Sequence, residues 1–208
     1  MHLPDFAAIW AEGNLSLIDI DARTLLRLTR FPNSEPHWGR NVKYRFDDPV
    51  ATFGVTYAAQ KLEVAFAETV LHEQGCYRDN RWIIEQARVN ERYIAHFDRA
   101  NGIPLKLAKL TGRDLKVLGL NSDLSASDDY THSMQISAAL HSQVPEADGI
   151  LYMSHQYNNE SVMALFERSE IQCKPGSEPL IAHPDYPQLI HLFRVDLIPK
   201  TAPPPHQN

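Results

Sequence analysis

The chain has 208 residues, 43% of them hydrophobic and 22% charged, the balance of a single folded domain large enough to hold a core without disulfide staples. A formal charge of −6 with dispersed Lys and Arg offers no electrostatic footprint for a polyanion, which argues against nucleic acid as a direct partner. Cys76 and Cys173 stand in no metal or framework spacing, the acidic start with Asp5 and Glu12 is no secretory leader, and no stretch approaches the roughly 18 unbroken apolar residues of a membrane span, so a cytoplasmic protein without membrane contact is expected.

Residues 4–12 predict a short helix with Pro4 near its start, broken at Gly13-Asn14, within an accessory segment over 1–23. Leu25, Leu26, Leu28 and Phe31 suggest a strand that Pro32 to Pro36 ends. Val42 to Phe46 and Thr52 to Ala58, with the Asp47-Asp48-Pro49 turn between them, read as a strand pair. The clearest helix runs from Lys61 to Gln74, with Leu62, Ala65, Phe66, Thr69 and Val70 on one stripe and Gly75 as its stop. Arg81 to Val89 and Arg92 to Phe97 suggest a hairpin around Asn90-Glu91, and Leu105 to Leu110 a brief helix. Ser122 to Asp129 should lead into a helix over Tyr130 to Gln143. Gly149 to Met153 and Ser161 to Phe166 are short apolar runs of the buried-strand kind, turned at Asn158-Asn159, and Leu189 to Ile198 a last strand before a fraying tail over 201–208.

Strands and helices mixed without regular βαβ alternation predict an α+β domain with a core over about 25–198, and the absence of a Gly-rich phosphate loop argues against Rossmann and P-loop sites. Glu68 is the first residue that this pattern leaves unexplained. Its neighbours on the helix are Val64, Ala65, Leu71 and His72, so its carboxylate either snorkels or pairs with His72, or lines a cleft. Arg45, between Tyr44 and Phe46, suits bidentate contact with phosphate, with a cross-strand partner such as Asp47 or Glu63 as the plainer reading. Ser154 lies outside any G-x-S-x-G elbow, and a structural serine at a strand end is the simpler reading. His72-Glu73 lacks a second histidine four residues on, and His132, His141 and His155 show no ligand spacing, so no catalytic metal is expected.

Taken in order, Tyr44-Arg45-Phe46-Asp47, Phe53 to Ala58, Ala65 to Thr69, Tyr130 to Gln135, Asp148 to Ser154 and Val162 to Phe166 resemble the RES domain family, named for a recurring arginine, glutamate and serine. The likeness spans about 25–170. It implies a fold similar to ADP-ribosyltransferases and a role as the toxin of a bacterial toxin–antitoxin pair. It also implies depletion of NAD by cleavage of the nicotinamide–ribose bond, NAD being substrate with no further cofactor, and an Xre-like antitoxin as partner. By position Arg45 is the family arginine, Tyr57 the tyrosine, Glu68 the glutamate and Ser154 the serine, with Arg27 a second arginine near the domain start. The chain departs from the family in reading Lys43-Tyr44-Arg45-Phe46-Asp47 where Gly-Gly-Arg-Trp-Asn is frequent, and in His155-Gln156 after the serine where an arginine is frequent. For that reaction Glu68 is expected to stabilise the oxocarbenium-like ribose and orient the attacking water or phosphate, Arg45 with Arg27 as helper to hold the pyrophosphate, Tyr57 to stack on nicotinamide or its ribose, and Ser154 to fix orientation by hydrogen bonding. A mono-ADP-ribosyltransferase acting on a protein and a silent binding module are the alternatives.

Overall fold

The computed structural model describes residues 2–199. In chain order it builds α1 (Phe6–Ala11), β1 (Leu17–Ile20), β2 (Leu26–Thr29), β3 (Val55–Ala59), α2 (Leu62–Phe66), a π-helical turn (Ala67–Leu71) and α3 (His72–Gln74). There follow β4 (Cys76–Arg78), β5 (Arg81–Glu85), α4 (Gln86–Asn90), β6 (Tyr93–Arg99), β7 (Leu105–Leu110), α5 (Gly112–Val117), α6 (Asp123–Ala126) and α7 (Thr131–Gln143). The chain closes through β8 (Gly149–Met153), β9 (Ser161–Phe166), β10 (Ile171–Cys173), β11 (Glu178–Pro179), α8 (Tyr186–Leu192) and β12 (Val195–Ile198). The tail expected to fray, 201–208, lies outside the described residues.

The main sheet runs β1-β7-β8-β9-β3-β2-β6-β10, with β11 also on β6, and a small sheet runs β12-β5-β4. This is the mixed α+β architecture that the element pattern predicts. The central strands are buried on both faces. On β9, Val162, Ala164 and Phe166 join the core beneath the helices, whereas Met163 and Leu165 join a second cluster with Leu25, Phe97, Leu105 and Leu107. A strand covered on both faces has no polar side, which is why 149–153 and 161–166 read as unbroken apolar runs. The N-terminal segment contributes too: β1 pairs with β7, and Phe6 is fully buried in the larger cluster.

Four sequence expectations need correction. Residues 105–110 form a strand, not a helix: Leu and Lys are good helix formers, but Leu105 and Leu107 face one core cluster and Ala108 and Leu110 the other, and parallel pairing with β8 overrides propensity. No hairpin joins 81–89 to 92–97. Residues 86–90 coil into α4 to bury Val89, and β5 leaves for the small sheet while β6 stays in the large one. The last strand is shorter than expected, because Tyr186–Leu192 is helical and points Leu189 into the core before Arg194, at φ 53, turns the chain into β12. Finally, Val42 to Phe46 is no strand, and β3 pairs instead with β9.

Gly149 shows how closely β8 and β9 approach: a Cβ there would lie 2.4 Å from the carbonyl oxygen of Ala164 and 3.0 Å from Cα of Leu165. Because both are backbone atoms of a central strand, the clash cannot be relieved by a rotamer change. Gly149→Ala is expected to destabilise the protein by about 1–3 kcal/mol, the range for overpacking a core. A urea midpoint equal to that of the parent would show that the strands have room to part.

Candidate active site

The site begins with a defect in the sheet. β2 and β3 share a single register pair, Leu26↔Ala59, after which β2 follows β6 through Arg27↔Ala95 and Leu28↔Ile94 while β3 follows β9 through Tyr57↔Ala164. Across the gap the Arg27 guanidinium donates from Nη1 to the Thr56 hydroxyl at 2.7 Å. A cavity of about 500 Å³ occupies this opening, with Arg27 and Leu28 on one side and Tyr57 and Ala58 on the other. The helical run 62–74 presents Ala65, Glu68, Thr69, His72 and Glu73 to it. The π-helical turn widens the helix where Glu68 sits, a distortion that often accompanies functional residues.

Glu68 is neither snorkelling nor paired with His72. Its Oε1 accepts from the Ser154 hydroxyl at 2.5 Å and from the Gln156 N–H at 3.4 Å. Ser154, 1% exposed, follows β8: its N–H donates to the Glu160 carbonyl, and its Oγ accepts from the Tyr157 N–H at 2.8 Å while donating to Glu68. The hydroxyl is thus fixed in direction by the loop that follows it, and the acid is fixed by the hydroxyl. Among the described residues no donor reaches Oε2 of Glu68.

Val42 to Phe46 departs from the expected strand, and the chain turns after it, because carboxylates take the N–H groups of both stretches. Oδ2 of Asp47 accepts from Lys43 and Tyr44, both at 3.0 Å, and Asp48 accepts from Val50, Thr52 and Phe53, so turns replace a ladder. The Tyr57 hydroxyl donates to Oδ1 of Asp47 and accepts from the Phe46 N–H, each at 3.0 Å, which pins the loop against β3. Burial, followed by the Asp47 charge, pushes the Tyr57 phenol well above its ordinary range, so it stays a neutral donor. Arg45, 7% exposed, pairs with neither Asp47 nor Glu63: Nη1 donates to the carbonyls of Leu124 at 3.2 Å and Ser127 at 2.7 Å, and the guanidinium lies 4.5 Å from the centre of the Tyr130 ring. It lines the cavity and anchors the loop around α6 at once.

All four of Arg27, Arg45, Tyr57 and Glu68 therefore line one cavity, with Ser154 directly behind the acid. Three further participants escaped sequence reasoning. Glu35, whose side chain is only 1% exposed, faces Nε of Arg27 at 3.4 Å and accepts from the His37 N–H at 2.9 Å. Tyr152 lines the cavity, its phenol raised by burial and then by the Glu68 charge; it precedes Ser154 by two, and the period of a strand could have placed both on one face. Arg92, before β6, carried no local signal.

The structure is a mixed α+β domain whose split sheet opens on a cavity lined by a carboxylate and arginines. The RES domain family model matches residues 16–186, so the chain belongs to the RES domain family. No curated protein matches the chain. Among solved structures, a chain from the crystal structure of the M. tuberculosis MbcT-MbcA toxin-antitoxin complex is similar in fold, with a TM-score of 0.61 at 15% identity over 90% of this chain and 98% of that one.

Two outcomes are expected from this geometry. Arg45→Met should cost about 1–3 kcal/mol of stability in chemical denaturation, since the Leu124 and Ser127 carbonyls lose their donor. At Asp48, burial alone would raise the pKa, but the Thr52 hydroxyl and the N–H groups of Val50, Thr52 and Phe53 together outweigh it and hold the carboxyl below its ordinary range. A depressed folded pKa adds stability that is present above the unfolded value of about 4 and lost as pH falls through the folded one. Asp48→Asn is accordingly expected to be less stable at neutral pH and to lose less stability on acidification from about pH 5 to pH 2 than the parent, in thermal melts across that window.

Proposed function

We propose that this RES domain protein depletes NAD by cleaving the bond between nicotinamide and ribose, and that it acts as a toxin held in check by a protein antitoxin. The observation that carries the reading is the Glu68 carboxylate, oriented by Ser154 at 2.5 Å and facing a cavity of about 500 Å³ that also holds Arg27, Arg45 and Tyr57. That volume falls within the range of small-molecule and cofactor sites.

The chemistry asks for little else. Nicotinamide leaves as a neutral molecule, while positive charge builds on the ribose in the transition state. A carboxylate fixed beforehand answers that charge without reorganising during the reaction. With Oε1 held by Ser154 and the Gln156 N–H, the remaining oxygen of Glu68 serves the ribose cation and the attacking water or phosphate. Tyr57, tied down through its hydroxyl, supplies a fixed ring against nicotinamide or its ribose. Arg27 and the part of Arg45 not engaged with carbonyls hold the diphosphate and set the dinucleotide's register. The site takes NAD as substrate and requires no further cofactor or metal.

The likeness in fold to a chain of a toxin-antitoxin complex supports an antitoxin partner, of the Xre-like type that the family resemblance implies. NAD as substrate fits action in the cytoplasm, and no described helix is long and apolar enough to cross a membrane. A net charge of −6 gives no support to direct nucleic-acid contact.

The test is release of nicotinamide from NAD by the purified protein, with products resolved by mass spectrometry in the presence and absence of inorganic phosphate. Glu68→Gln keeps the shape and removes the charge, and should lower turnover by about 100-fold or more with NAD binding retained. Undiminished turnover in that variant would overturn the assignment. ADP-ribose found on a protein would make the enzyme a transferase, and no consumption of NAD would leave a binding module.

A further inference from the structure

Arg92 is the buried cation of the cavity whose hydrogen-bonding capacity is least used. It is 5% exposed and lines the same cavity as Glu68, yet among the described residues its Nε has no hydrogen-bond partner. Among the described residues the one carboxylate within salt-bridge distance is Glu73, 3.5 Å from Nη2 and itself partly exposed. A guanidinium carries five N–H donors, and burying it against a single distant carboxylate leaves a desolvation cost uncompensated. Burial indeed pushes its pKa down, against the Glu73 charge, and Arg30 nearby adds a like charge in the same direction. Of the other three arginines of the cavity, Arg27 is occupied by Thr56 and Glu35, Arg45 by two carbonyls and the Tyr130 ring, and Arg30 is half-exposed and 3.9 Å from Glu91.

Position narrows the ligand. Glu73 follows Glu68 by five residues on the same helical run, so the Arg92–Glu73 pair stands beyond the acid along that run, on the wall of the same cavity. Two cations, Arg92 and Arg30, with a weakly competing carboxylate on a wall that also holds Glu68, make a site for an anion joined to the sugar by a short linkage. Planar N–H groups suit phosphoryl oxygens.

We infer that Arg92 is a substrate-binding residue that exchanges its contact with Glu73 for a phosphoryl oxygen of the dinucleotide's diphosphate. The inference rests on the proposed NAD-cleaving function and adds to it a residue and a competition: Glu73 holds the guanidinium until an anion enters and then yields it.

The experiment is calorimetric titration of the full chain with ADP-ribose, which carries the diphosphate, and with nicotinamide riboside, which lacks it. Arg92→Met should weaken ADP-ribose binding by tenfold or more and leave nicotinamide riboside binding unchanged; in turnover, KM for NAD should rise with kcat nearly constant. Arg92→Lys, which keeps the charge and guards against a loss of fold in the Met variant, should recover part of the affinity. Glu73→Gln should tighten ADP-ribose binding several-fold in the parent and not in Arg92→Met, because the gain acts through the freed guanidinium. Equal ADP-ribose affinity in the parent and folded Arg92→Met, or an equal gain from Glu73→Gln in both backgrounds, overturns the inference while the NAD assignment stands. A parent chain that neither binds ADP-ribose nor consumes NAD overturns both.

Discussion

Everything in the site follows from two neighbouring strands that stay paired at one point only. A sheet that parts must find other partners for the edges it exposes, since unpaired backbone groups away from water are costly. Here β2 and β3 each keep a full ladder on their outer side, to β6 and β9, and Leu26↔Ala59 holds the two halves together. The Arg27 bond to Thr56 spans the gap from side chain to side chain, so the opening is braced without being filled. Had the pairing continued, Tyr57 and Arg27 would lie on a closed surface, and there would be no chamber for Glu68 to face.

Around that opening, side chains serve structure and site together. Ser154 is both the acceptor that turns the loop after β8 and the donor that aims Glu68. Tyr57 fastens the loop 43–48 through Asp47 and Phe46 while its ring walls the cavity. Arg45 holds α6 by its carbonyl contacts and also reaches the chamber. Such sharing stiffens the groups against which a ligand must register, and it makes a plain division between structural and functional residues unhelpful here. Ser154, read from the sequence as a structural serine at a strand end, does hold the loop that follows and also contacts the acid.

The distribution of charge shows the same economy. Glu35 is almost wholly covered and partly neutralises Arg27, while Glu73 stands at a looser distance from Arg92. Arginines gathered around one cavity repel one another and lose hydration. Acids of differing grip let them coexist around one cavity and leave them unequally neutralised.

The sequence by itself determined the elements whose burial pattern is local: the helix over 62–74, the strands 149–153 and 161–166, the helix ending at Gln143, and the α+β class. It also marked Glu68, because an acid among Val64, Ala65 and Leu71 has no local partner that explains it. What tertiary structure decided were the choices where local preference is weak or misleading. Leu105 to Leu110 carries helix-forming residues and becomes a strand because two flanking strands and two core clusters claim it. Val42 to Phe46 looks like a strand and becomes a loop because Asp47 captures its N–H groups and Tyr57 captures Asp47. Glu35, Tyr152 and Arg92 enter the cavity from three distant segments, and no periodicity within a segment reports convergence between them. Spacing along the chain fixes which face a side chain occupies, whereas the neighbours of that face depend on how strands from far apart in sequence are ordered in the sheet.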